Sequence, residues 1–319
     1  MAARSNVMSG LLPWLGAHGT RILPISLFVG LAWADLAALL RPALAPIVFI
    51  MLTMLIMRVD MAAARKHLAS PLIPTLGLAW TVVAMPVLFA GAIWLGSTYL
   101  SAGLVLALVF WASSPPLFST PALAYLLRLD PALALGFLLA AVAVHPVVTP
   151  FFTAVFTDGA ASVSPIQLAQ RLLLLVGGAA LIAVVTRKLI GVDRIHQAST
   201  SFDGLNVIAM AIFAVALMDG IGARLLADPV YALGFIAFVM ALSLVSIAVT
   251  TALFWNAGRR MATTLGFSAG GRNIALVIGA LGVSVPDDTW LFFAVLQFPI
   301  YCLPALLKPV YERILPAGP

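Results

Sequence analysis

The sequence predicts an all-α polytopic membrane protein, with ten transmembrane helices arranged as two inverted five-helix repeats. Three observations lead there. Hydrophobic residues make up 63% of the 319-residue chain and charged residues only 9%, whereas a soluble domain carries about 25% charge. Apolar stretches approaching the length that crosses a bilayer, about 20 residues, recur along the whole chain, and mean hydropathy is +1.13. The basic residues gather in alternate short loops, which is a topology signal.

Taken in order, the chain begins with an interrupted apolar stretch, Val7 to Ala17, containing Gly10, Pro13 and Gly16. It shows no clear small-residue cleavage site, so it is expected to lie at the membrane interface ahead of the first span. Spans are expected at 22–40, 43–58, 71–96, 101–127, 132–156, 166–189, 204–220, 229–254, 260–283 and 289–311. The sixth and seventh are joined by the most polar loop, Arg187 to His196. With the N-terminus in the cytoplasm, Arg4, Arg21, Arg58, Arg65, Lys66, Arg128, Arg187, Lys188, Arg194, Arg259, Arg260, Lys308 and Arg313 fall inside. Of the 17 Lys and Arg residues only Arg41, Arg171 and Arg224 fall outside, with Arg272 inside a span. Both termini are therefore expected to be cytoplasmic. Five spans per half, an odd number, make the second repeat enter the membrane from the opposite side; the halves divide as 1–160 and 161–319.

Several function classes find no support. The single cysteine, Cys302, excludes a disulfide framework and a multi-cysteine metal site. His18, His67, His145 and His196 are scattered without metal-ligand spacing, so neither a metal nor a cofactor is expected. The sequence pI near 10 comes from loops between apolar spans, which argues for membrane topology and against nucleic acid. No Walker motif, dinucleotide fingerprint or metalloprotease helix signature occurs.

The fourth and ninth spans are broken at matching places. Ser113-Ser114-Pro115-Pro116 interrupts one, and Gly266 through Gly270-Gly271-Arg272-Asn273 interrupts the other, about half the chain away. Paired Gly/Pro breaks in equivalent spans mark the discontinuous helices around the midplane site of a secondary transporter. Prolines remove backbone donors, glycines permit close approach to a ligand, and half-helix N-termini suit an anion. Ser113, Ser114, Ser119, Thr120 and Ser268 add hydroxyls. Arg272 is the most pointed residue, because a mid-span charge costs about 2.5–3.5 kcal/mol on insertion scales and marks a site or an internal pairing. His145, before Pro146 in the fifth span, has a titration range suited to proton coupling. The alternative for both breaks is a pair of structural kinks satisfied by neighbouring helices. Gly266-Phe267-Ser268-Ala269-Gly270 also matches G-x-S-x-G, but a nucleophile elbow needs a strand-to-helix turn with a positioned His and acid. An intramembrane serine hydrolase is thus a remote alternative.

At these residues the chain resembles the bile acid:sodium symporter family. The likeness covers the ten-span plan and is most specific in Ser114-Pro115 through Ala124-Tyr125-Leu126, in Met85-Pro86, and in Gly270-Gly271-Arg272-Asn273. It implies a panel domain and a core domain, each assembled from both repeats, with broken helices 4 and 9 crossing in the core. It also implies alternating access for a small organic anion across a bacterial inner (plasma) membrane. The family's sodium ligands are replaced: a Glu corresponds to Ser268, a Gln to Arg272, a third-span Gln to Thr81, and a Ser-Asn pair to Thr120-Pro121. Sodium symport at those sites is therefore not expected, and Arg272, His145 and Thr81 are the candidates for coupling, with protons as the substitute ion. Arsenite carriers share the architecture but use a fourth-span Cys, whereas Cys302 lies in the tenth. Sodium-independent auxin-type carriers share the crossing helices, so a proton-coupled or facilitative carrier is the alternative.

Overall fold

The computed structural model describes residues 2–59, 72–96, 99–157, 164–281 and 285–315. Among them the chain is mostly helical, and the only strand-like pairing is an isolated antiparallel bridge between Pro116 and Arg272. Six helices among the described residues are long and apolar enough to cross a membrane: Ala34–Arg58, Pro131–Phe156, Pro165–Ile190, Ser199–Leu217, Pro229–Leu253 and Asp287–Ile314. A seventh is present if the bent pair Gly10–Ala17 and Arg21–Ala32, which meet at 85°, counts as one span. The protein is an integral membrane protein. Arg65, Lys66, His67, Asp158 and the boundary between 160 and 161 lie outside the described residues.

The first two spans divide differently from expectation. The helix Gly19–Ala32 stops at Trp33 (φ −123°, ψ 81°), and the chain then runs from Ala34 to Arg58 as one span. Arg41-Pro42, expected to separate the spans, makes only a single 3₁₀ turn. Pro42 stands at the start of that turn, where its missing N–H costs little. Where a third span is expected, Leu72–Ala79 and Met85–Gly96 are separated by a π turn over Trp80–Ala84. Pro86 cannot donate back along the helix, and a π turn absorbs such a fault. The helix Pro131–Phe156 carries Pro146 and Pro150 without ending. Asp130 caps its start by accepting from Ala132 N and Leu133 N, both at 3.0 Å.

The chain forms two compact units, each built from both halves of the sequence: residues 1–59 with 174–232, and residues 60–173 with 233–319. In the first unit, Ser199–Leu217 packs through glycines. A Cβ on Gly204 would stand 2.1 Å from Leu12 O, and one on Gly30 would stand 2.7 Å from Val215 O. Small residues let membrane helices approach to backbone contact. The segment expected at the interface is helical, Ala2–Ala17, and Leu12 and Gly16 pack on this helix. Arg41–Asp219 and Arg58–Asp203 ion pairs, each 2.7 Å, join its ends. Arg187 donates to Met57 O and Val59 O at 3.1 and 2.6 Å.

The second unit has an aromatic centre. Phe110, Trp111, Phe292 and Phe293 are fully buried, with Phe110 against Phe293 and Phe235 edge-on to Phe292. Ser101 Oγ donates to Asp288 Oδ2 at 2.5 Å, and Thr289 Oγ1 donates to Gly103 O at 2.7 Å. These contacts fix the helix Ala102–Ser113 beside Asp287–Val295.

Candidate crossover site

Both breaks lie in the second unit, and they meet. The helix Ala102–Ser113 ends at Ser114, whose backbone is extended (ψ 150°). The hydroxyls of Ser113 and Ser114 turn back to donate to Val109 O and Phe110 O at 2.8 and 2.7 Å. Pro115 and Pro116 have no N–H to offer the preceding turn, so the helix cannot continue through them. It resumes at Thr120–Leu126. The other helix runs Arg259–Gly270, opens at Gly271, and resumes at Ala275–Leu281. Asn273 Oδ1 accepts from Ala275 N at 3.0 Å, capping the second half.

Each break satisfies the other's freed backbone. Leu117 N donates to Gly271 O at 3.0 Å, and Asn273 N donates to Pro115 O at 2.8 Å, framing the Pro116–Arg272 bridge. Backbone at membrane depth must find such partners within protein or a wet cavity. Here two interruptions half a chain apart solve the same problem for one another.

Arg272 is 1% exposed at this junction. Its Nε donates to Ala269 O at 2.7 Å and its Nη1 to Ser114 O at 2.8 Å. Longer contacts run from Nη1 and Nη2 to Thr81 O at 3.4 Å, and from Nη2 to the Met85 sulfur at 3.3 Å. The guanidinium carbon stands 5.8 Å from the Trp111 ring centroid, within cation–π reach. Arg272 forms no ion pair among the described residues. Ala269 O and Ser114 O lie at the C-terminal ends of the two half-helices, where the helix dipole is negative. The fork therefore caps two half-helix ends at once and ties in the π turn over Trp80–Ala84.

The other candidates divide. The break at the ninth span is shorter than expected: residues 266–270 are helical and only 271–274 are open. Gly266 and Gly270 lie within the helix and pack closely against a neighbouring helix. A Cβ on Gly266 would stand 2.0 Å from Thr251 Oγ1, and one on Gly270 would stand 2.6 Å from Ser243 O. Gly271 does lie in the open segment, against Leu117. Ser268 is buried and donates to Thr264 O at 2.8 Å within its own helix, so its hydroxyl is not directed at the crossover and no strand-to-helix elbow surrounds it. Thr120 is buried and its hydroxyl has no protein partner, while Ser119 is half-buried at the start of its helix. Thr81 donates to Gly77 O and contributes its carbonyl to Arg272.

His145 is linked to the first break from the fifth span. Its Nδ1 lies 2.8 Å from Thr149 Oγ1, which in turn donates to Ser113 O at 3.2 Å. With the hydroxyl proton used on Ser113 O, Nδ1 is the donor, and Nε2 is left as a buried nitrogen without a partner among the described residues. Sequence reasoning missed Trp111, Thr149 and the carbonyl of Ala269. Trp111 carried the one usable signal, a large aromatic two residues before the Ser-Ser-Pro-Pro break. No group of three His, Cys, Asp or Glu capable of holding a metal occurs among the described residues.

A comparison with models of known families finds no match, and neither does a search of curated proteins.

Proposed function

We propose that this chain is a secondary transporter of a small organic anion, working by alternating access around residues 113–120 and 271–273, and not an enzyme. The observation that carries the reading is the crossover itself. Two broken helices from opposite halves of the chain hydrogen-bond through their breaks around a buried arginine that has no acidic partner among the described residues. Held against backbone carbonyls and, among the described residues, no carboxylate, the guanidinium brings a formal positive charge to the junction, and in this reading that charge meets an anion there.

The proposal includes ten spans in two inverted five-helix repeats, resembling the bile acid:sodium symporters, with the first compact unit as panel and the second as core. Its support is that each unit draws on both halves of the chain. The orientation, with both termini cytoplasmic in a bacterial inner membrane, rests on the bias of Lys and Arg toward one set of loops. Within the first unit, Arg187 meets the carbonyls beside Arg58, as expected if both lie on one side of the membrane.

In this reading Arg272 does the work of a bound cation, so uptake does not require sodium. Coulomb attraction of a carboxylate at 4 Å is about 4 kcal/mol at an effective dielectric of 20, and desolvation of the anion opposes it. A thermal-shift screen of organic anions against the purified protein identifies the substrate. Uptake of that anion into proteoliposomes then tests the reading: it should saturate, and Arg272→Ala should abolish it. Absence of any saturable uptake by the wild type would reject transport.

A second reading, proton-coupled transport, is favoured by the partnerless Nε2 of His145 beside the first break. It predicts that an inward proton gradient drives accumulation and that His145→Gln removes the drive while leaving counterflow exchange.

A further inference from the structure

In the second unit, away from the crossover, the start of the helix Arg259–Gly270 and the end of the last helix enclose a basic cleft of about 670 Å³. Arg259, Arg260 and Arg313 line it together with Asp130. Asp130 is already directed at the amides of Ala132 and Leu133. None of the three arginines forms an ion pair among the described residues. Arg259 lies over the Trp255 ring, 5.8 Å from its centroid, and ring stacking leaves the N–H edge of a guanidinium available. Gly258 brings no side-chain cap to the 12-residue helix that follows, so its first amides face outward as well. The cleft therefore holds three positive charges against one engaged carboxylate.

An apolar groove adjoins it. Leu76, Trp80, Val83, Leu253 and Phe254 line a groove of about 690 Å³, and Ala257 lines both groove and cleft. Phe254 from the groove and Met261 from the cleft pack on the same buried cluster of Leu133, Phe137 and Leu265. Leu76, Val83 and Leu253 are each more than half exposed. A basic cleft opening into an apolar groove on a membrane protein has the polarity profile of one lipid molecule.

We propose that cleft and groove form a binding site for an anionic phospholipid, its phosphate among Arg259, Arg260 and Arg313 and an acyl chain along the groove. Guanidinium forks match phosphate oxygens in bidentate, charge-assisted bonds. Free phosphate would leave the groove empty, and a zwitterionic lipid would bring an ammonium into a cleft with surplus positive charge.

The test uses full-length protein purified in detergent, given equal amounts of phosphatidylglycerol and phosphatidylcholine and read by native mass spectrometry. Wild type should retain phosphatidylglycerol by roughly tenfold, the factor expected from one charge-assisted contact. Arg313→Gln and Arg260→Gln should lose that preference, whereas Lys308→Gln, a charge removed from the same last helix outside the cleft, should keep it. Val83→Trp should weaken retention of phosphatidylglycerol by filling the groove. The preference should survive excess inorganic phosphate. Equal loss in Lys308→Gln would reduce the effect to surface charge and overturn the proposal. Displacement of the lipid by inorganic phosphate, or no preference in the wild type, would overturn it as well. None of these outcomes depends on transport.

Discussion

Replacing Arg272 by methionine removes the fork that ties three chain segments together, and its cost can be worked from the contacts. Methionine has similar reach but no donor. Ala269 O and Ser114 O lose partners at 2.7 and 2.8 Å, and Thr81 O loses two weaker ones at 3.4 Å. A buried acceptor left without a partner costs about 1–3 kcal/mol. The two short contacts therefore set a loss of roughly 2–6 kcal/mol, with the long ones adding little. Relief of the charge's own desolvation works the other way, but it does not replace the two lost short bonds, so the net sign is destabilising. Scanning fluorimetry in detergent should show Arg272→Met unfolding several degrees below wild type. Arg272→Lys should fall between them, since an ammonium keeps the charge but cannot span both half-helix ends. If Arg272→Met melts at the wild-type temperature, the guanidinium does not hold the breaks together and the account of the crossover fails.

Other consequences follow from the same geometry. Gly270→Ala should destabilise the protein by about 1–3 kcal/mol, the usual cost of overpacking, because its Cβ would meet Ile247 and Ser243 O; Gly177→Ala, with open space around it, should be neutral in the same melt. In the first unit, Gly204→Ala should cost far more than Asp203→Asn: the glycine faces the Leu12 backbone, whereas the Arg58–Asp203 pair is about one-third to one-half exposed and such pairs contribute about 0–1 kcal/mol. Reporter fusions after Arg194 should read as cytoplasmic and those after Asp288 as external, and a cytoplasmic signal at Asp288 would break the ten-span topology. Ser268→Ala should retain uptake and the wild type should resist serine-reactive probes; labelling at Ser268 would revive the hydrolase.

Helix content and the two interruptions were legible in the sequence because proline and serine signals are local. Ser113-Ser114-Pro115-Pro116 breaks a helix wherever it stands, and the helix does end at Ser113. The ninth-span break was placed too early because glycine is ambiguous. Gly266 and Gly270 looked like helix openers, yet both are small-residue contacts against the helix Pro229–Leu253, a tertiary fact that no local pattern encodes. Arg41-Pro42 misled for a related reason. The pair looks like a boundary, but Arg41 finds Asp219 far along the chain and Pro42 needs only one tight turn. Arg272 was identifiable as an anomaly from its position inside an apolar stretch. Its partners are backbone carbonyls and a methionine sulfur, which have no signature in sequence. The link from His145 through Thr149 to Ser113 O is legible only as a helical i, i+4 pair, and its third member comes from another span.

The central claim is that a fixed guanidinium stands where a carrier of this plan would need a bound cation. The most direct measurement is uptake of the screened anion into proteoliposomes containing wild type or Arg272→Ala, with sodium, potassium or choline outside. The account predicts equal wild-type uptake in all three salts and loss of uptake in Arg272→Ala. Sodium-driven accumulation that persists in Arg272→Ala would contradict it.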